Sequence, residues 1–128
     1  MTPPVMQRWI ELVESGRMDH VAELLAEDPV FYSPAVFTPQ RGRETVLAYL
    51  AAAGKVFADT DFRYVGQWYT DRSAVLEFTA TVDGIYVNGI DMVHWDDDGK
   101  IVAVKVMLRP FKALQAIMPK MAALLPKP

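Results

Sequence analysis

The hydrophobic period of this chain changes after Thr60, and that change limits the fold more than any other feature. Beyond it come DFRYVGQWY, AVLEFTATV, IYVNGIDMVHW and KIVAVKVMLR, joined by TDRS, DG and DDDG. These runs are β-branched and aromatic, and they alternate with the period of two that marks half-buried strands. Asp83-Gly84 and Asp98-Gly99 accept the left-handed backbone of tight hairpins, so the strands are expected to form one antiparallel meander.

The first half reads instead at helical spacing. Thr2-Pro3-Pro4 opens a helix on which Val5, Met6, Trp9, Ile10 and Val13 share a face, and Gly16 stops it. Asp19 is expected to cap a second, shorter helix carrying Val21, Leu24 and Leu25. Asp28-Pro29 should end it, because the residue before proline avoids helical backbone. VFYSPAVF reads as a short extended segment broken by Pro34. Pro39 and Gly42 lead into a third helix with Val46, Leu50, Ala53 and Phe57 on one side. A last helix follows Arg109-Pro110. Its stripe of Phe111, Leu114, Met118, Met121 and Leu125 suits packing, with some closure over a cavity. The expectation is one α+β domain over residues 1–128: a curved antiparallel sheet on N-terminal helices, with an extra C-terminal helix.

A composition 52% hydrophobic excludes a disordered chain, and in 128 residues it implies surplus apolar surface for a cavity, a dimer face or both. No apolar run reaches the length of a membrane span, so no membrane partner is expected. With no cysteine there is no disulfide framework or thiolate metal site, and MTPPVMQRW does not read as a secretory signal. A cytoplasmic location is expected. The net charge of −3 comes without a basic stripe, so nucleic acid is not an expected partner.

Asp91 is the chain's best clue to chemistry. It sits within GIDMVHW, where a carboxylate is costly unless it is paired, protonated or in contact with a ligand. Alternation puts Gly89, Asp91, Val93 and Trp95 on one face, with Ile90, Met92 and His94 opposite. Leu76, Phe78, Ala80 and Val82 share a face, with Glu77, Thr79 and Thr81 on the other. In the last strand Val102, Val104, Val106 and Leu108 oppose Ala103, Lys105, Met107 and Arg109. The inner face should meet the helices and the outer one a second copy. Asp91 is the candidate catalytic residue. Trp9, Ser33, Tyr49, Leu50, Trp68, Phe78, Val104 and Leu108 are the candidate lining of a pocket around it.

Other polar residues have plainer readings. His20 is a candidate base, but its place in the first turn of the expected second helix favours a solvated role. His94 alternates away from Asp91. Two separated histidines make no metal set, and DDDG lacks the alternating ligands of a calcium loop, so no metal or cofactor is expected. Gln40-Arg41-Gly42-Arg43-Glu44 could hold an anion at a helix start or form a solvated turn.

The runs RWIELVESG, LLAEDPVFYSP, QRGRE and VNGIDMVHWDDDGKI occur in an order that resembles the nuclear transport factor 2-like superfamily. That group contains ketosteroid isomerase, limonene epoxide hydrolase and SnoaL-type polyketide cyclases. The ending VKVMLRPFKALQAI resembles an uncharacterised SnoaL-like branch. The resemblance implies a cone-shaped α+β barrel, a curved sheet wrapped around helices with a pocket inside. It also puts Asp91 where the isomerase has a protonated aspartic acid that donates to an oxyanion. The isomerase's second donor, a tyrosine, falls on Trp9, and its general base, an aspartate before proline, falls on Ser33. A serine cannot serve as that base unaided. The hydrolase pattern of Asp, Arg and Asp also fails, since Arg109 and Asp91 have no second inward carboxylate beside them and Glu77 lies on the other face.

The resulting expectation is a homodimeric protein that holds an apolar, oxygen-bearing small molecule, with cofactor-free isomerase or cyclase chemistry at Asp91. The alternative is a non-catalytic binding or dimerisation module.

Overall fold

The computed structural model of the chain describes residues 2–126. Helix α1 spans Pro4–Ser15 and buries Val5, Met6, Trp9 and Leu12. Proline at its start lacks only an N–H that would go unpaired there. Gly16 ends it at φ 77, passing the Arg17 N–H back to the Leu12 carbonyl. Each large side chain buried on this face contributes about 1.5–3 kcal/mol.

The expected second helix is only a 3₁₀ stretch, Met18–Leu24, and the chain is already extended by Leu25. Strand β1, Leu25–Tyr32, runs through Asp28-Pro29 rather than starting after it. Two features explain the early end. The Arg43 guanidinium donates to the carbonyls of Ala22, Leu25 and Ala26, drawing off acceptors that a longer helix would use. Pro29, which has no ladder N–H, falls in the irregular stretch between the paired residues Leu25 and Val30. Arg43 is therefore a structural clasp, engaged with backbone carbonyls rather than held out to an anion or to solvent.

The short strand β2, Gln40–Arg41, and helix α2, Arg43–Phe57, follow. The meander is β3 (Arg63–Tyr69), β4 (Ser73–Val82), β5 (Ile85–Trp95) and β6 (Ile101–Arg109), antiparallel throughout. Asp83 and Gly84, both at positive φ, turn β4 directly into β5. The whole sheet is larger and mixed. β1 pairs in parallel with β6, giving the order β2-β1-β6-β5-β4-β3, open at both ends rather than closed into a barrel. Parallel pairing of β1 with the last strand could not be read from the linear pattern, because their partnership spans most of the chain.

Helix α3, Phe111–Leu124, closes the open side. Its buried stripe is Ala113, Ile117 and Met121, spaced four apart, while Phe111 is 73% exposed. The expected stripe is thus rotated. Two apolar clusters result. One joins α1 to Phe31, Leu50, Leu76 and Val104, and the other joins α3 to Val56, Phe78, Val82 and Val87.

Candidate functional site

Where the two clusters meet, the packing leaves a cavity of about 320 Å³. Trp9, Phe31, Leu50 and Val104 face it from the first cluster, Phe78, Ile117 and Met121 from the second. Ser33 and Leu108 also line it. Asp91 reaches it from the inner face of β5, opposite Leu76 on β4 and Val106 on β6. It is the sole buried charged residue among the described residues, 8% exposed.

Asp91 is held by a residue the sequence reading overlooked. The Tyr64 hydroxyl donates to Asp91 Oδ2 at 2.5 Å, and the Trp9 indole N–H donates to the Tyr64 oxygen at 3.0 Å. Donation into the phenol oxygen polarises the O–H, so the three residues act as one chain of hydrogen bonds. Among the described residues Asp91 Oδ1 has no protein partner. No buried side-chain oxygen is left unsatisfied there, so Oδ1 retains accessible surface and opens to the cavity. Burial raises the Asp91 carboxyl from 3.8 to about 6, against the opposing pull of the Tyr64 hydrogen bond. Burial, and then the neighbouring Asp91 charge, push the Tyr64 hydroxyl well above its ordinary value of 10, so it stays a donor.

A β-bulge places Tyr64. β3 pairs Tyr64 with Phe78 but then Gly66 with Glu77, so one extra residue enters at Val65 and every later side chain changes face. Tyr64 therefore points inward beside Phe78. Trp68, which strict alternation puts on the same side, pairs with Val75 and is 57% exposed on the outer face. Trp68 does not line the cavity. Tyr49 does not line it either: its ring stacks on Phe31 at 4.9 Å, one layer behind the surface. A second bulge, near His94 and Trp95, makes Ile101 rather than Val102 the inward residue at the start of β6.

The remaining polar candidates stay outside. His20 is exposed beside Glu23 at 3.0 Å, and His94 is exposed on the outer face. Glu77 accepts from Asn88, which in turn accepts from Arg109, so this set belongs to the outer face as alternation requires. Asp96 folds its carboxylate onto the N–H groups of Asp98 and Lys100, which accounts for the acidic turn. No cluster suited to a metal occurs among the described residues. Ser33 Oγ accepts the Ala35 N–H at 3.1 Å, a local turn contact beside the cavity.

This architecture, a curved open sheet packed on helices around an acid at the cavity wall, is a mixed α+β fold of the cystatin-like type. Residues 6–104 match the SnoaL-like domain, and the chain belongs to that family, which includes isomerases and cyclases. It is similar to a steroid delta-isomerase from Pseudomonas aeruginosa, with 37% identity, TM-score 0.88, and 93% of this chain and 87% of that one covered. It is likewise similar to an uncharacterised protein of cystatin-like fold from Silicibacter pomeroyi. There the identity is 32%, the TM-score 0.87, and the coverage 94% and 84%. A SnoaL-like protein of unknown function from Burkholderia thailandensis shares the fold at 18% identity and TM-score 0.68, covering 85% of this chain and 98% of that one. No curated protein matches the chain. None of the described helices is long and apolar enough to cross a membrane.

Proposed function

We propose that this single SnoaL-like domain is a small-molecule pocket protein for an apolar, oxygen-bearing ligand, with acid–base chemistry of the isomerase or cyclase kind at Asp91. One observation carries the reading: among the described residues Asp91 Oδ1 has no protein partner and opens into an apolar cavity, while Oδ2 is fixed by Tyr64. A carboxyl titrating near neutrality is suited to either direction of proton transfer. Ionised, it takes an activated proton next to a carbonyl. Protonated, it donates to the carbonyl oxygen. Trp9, Leu50, Phe78, Val104 and Leu108 shape the apolar wall and exclude water. The similarity to a steroid delta-isomerase supports this class. No cofactor enters the scheme.

The test is exchange of acidic α-protons of apolar cyclic ketones with solvent deuterium, followed by nuclear magnetic resonance. Exchange in the native protein, lost in Asp91→Asn while ketone binding persists, supports acid–base chemistry. Binding without exchange in either protein establishes the second reading, a non-catalytic binding module. Ser33 favours that second reading, because no carboxylate stands at its place to act as a separate base.

The outer sheet face is proposed as a homodimer contact. Val65, Trp68, Tyr86 and Met107 are 48%, 57%, 62% and 49% exposed, a density of apolar side chains unusual for a face left in water. A cytoplasmic site of action fits a cysteine-free chain.

A further inference from the structure

The charge of the cavity wall is one-sided. Glu14, Asp59 and Asp91 line it, and among the described residues no lysine, arginine or histidine does. The nearest cations in sequence are engaged elsewhere or face another surface. Arg17 is turned to Glu11 Oε1 at 3.3 Å and Ser15 Oγ at 2.9 Å, and Lys55 lines a neighbouring shallow groove. Glu14 has only the Tyr64 backbone N–H as a hydrogen-bond donor among the described residues, and Asp59 forms no ion pair there.

Two helix ends add to this field. Ser15 and Gly16 bring the carboxyl-terminal end of α1 to the cavity, and Phe57 and Ala58 bring that of α2. Both present the partly negative pole of a helix. Inside, the lining is aromatic. Phe57, Phe62, Tyr64 and Phe78 form a continuous set with centroids 5.0–6.2 Å apart. Aromatic faces beside carboxylates are the surroundings that bind organic cations. Asp91 supplies the inner end: the residue is 8% exposed, and its Oδ1 has no protein partner among the described residues.

We infer that the cavity takes apolar ligands carrying a basic amine and rejects their carboxylate counterparts. This rests on the pocket reading above and adds the charge of the ligand to it. A protonated amine supplies the countercharge that the carboxylates and helix ends lack, and it can donate to Asp91 Oδ1. An anion of the same shape meets like charge from Glu14, Asp59 and Asp91 instead of a countercharge.

Three probes of one chain length test it: octylamine, octanol and octanoate, titrated into the full chain by calorimetry at about pH 7.5 and low salt, where the amine is protonated and the acid ionised. Octylamine should bind at least about tenfold more tightly than octanoate, with octanol between them, and added salt should narrow the gap. In the double variant Glu14→Gln, Asp59→Asn the ratio of amine to carboxylate affinity should fall at least about threefold while octanol is unchanged. Both positions are exposed and both amides keep an acceptor oxygen, so folding is not at stake. Octanoate binding as tightly as octylamine overturns the inference and leaves the pocket reading standing. So does a preference that survives both the double variant and Asp91→Asn. Failure of all three probes to bind overturns the pocket reading itself.

Discussion

Replacing Asp91 with asparagine should stabilise the protein, and only above a defined pH. The folded state holds this carboxyl at about 6 against its ordinary value of 3.8. Between those values the folded protein keeps a proton that the unfolded chain has released. Stability contributed at this site therefore falls as pH rises through the window and is constant above it. At 1.36 kcal/mol per pH unit the deficit above pH 6 is about 3 kcal/mol. Asparagine has no charge to desolvate, and its amide oxygen still accepts the Tyr64 hydroxyl. Asp91→Asn should match the native protein near about pH 4 and exceed it by up to about 3 kcal/mol at about pH 8. Urea unfolding at the two pH values measures this directly, with a midpoint shift of about 1–2 M expected at the higher pH. The other carboxylates cancel in the comparison, including Asp61, whose hydrogen bonds with Thr81 lower it. A difference that does not change with pH, or a variant less stable at the higher pH, would refute the claim that Asp91 is held as a desolvated acid.

Tyr64→Phe removes the donor to Asp91 Oδ2. It should lift the Asp91 carboxyl above about 6 in a carbon-detected titration and cost about 2 kcal/mol at alkaline pH, where the lost bond is to a charged acceptor. If Asp91 acts as the proton acceptor in ketone exchange, the rate should rise with pH and level off above about 6, and a rate independent of pH over that range would exclude the role. Gly89→Ala puts a methyl group 2.5 Å from Phe78 Cζ, 2.7 Å from Leu108 Cδ2 and 2.8 Å from the Met107 carbonyl oxygen. Thermal or urea unfolding should show a loss of about 1–3 kcal/mol, since backbone on one side cannot yield. Met107→Glu, on the proposed dimer face, should shift the protein to monomer in analytical ultracentrifugation, and an unchanged dimer would place the contact elsewhere.

The linear pattern determined the meander, the three α-helices around it and the inward face of Asp91. Each of these follows from a local period or a local turn: the alternation in SAVLEFTATV and IYVNGIDMVHW, and Asp83-Gly84 between them. The SnoaL-like resemblance was legible for the same reason, since it lies in the order of those elements. What escaped were features decided by distant parts of the chain. The 3₁₀ stretch ends at Leu24 because Arg43, far along the sequence, claims its carbonyls. β1 joins β6 in parallel although about half of the chain separates them.

The site divides along the same line. Asp91, Trp9, Leu50, Phe78, Val104, Leu108 and Ser33 reach the cavity because regular alternation and helical spacing carry them there. Tyr64 faces the cavity and Trp68, expected to line it, faces outward, because one added residue at Val65 reverses the facing of everything after it. DFRYVGQWY carries aromatic residues on both faces, so hydrophobicity alone gives no sign of where the register slips. Sequence supplied the acid. The bulge, by turning Tyr64 onto it, supplied the partner that fixes one oxygen and leaves the other open to the cavity.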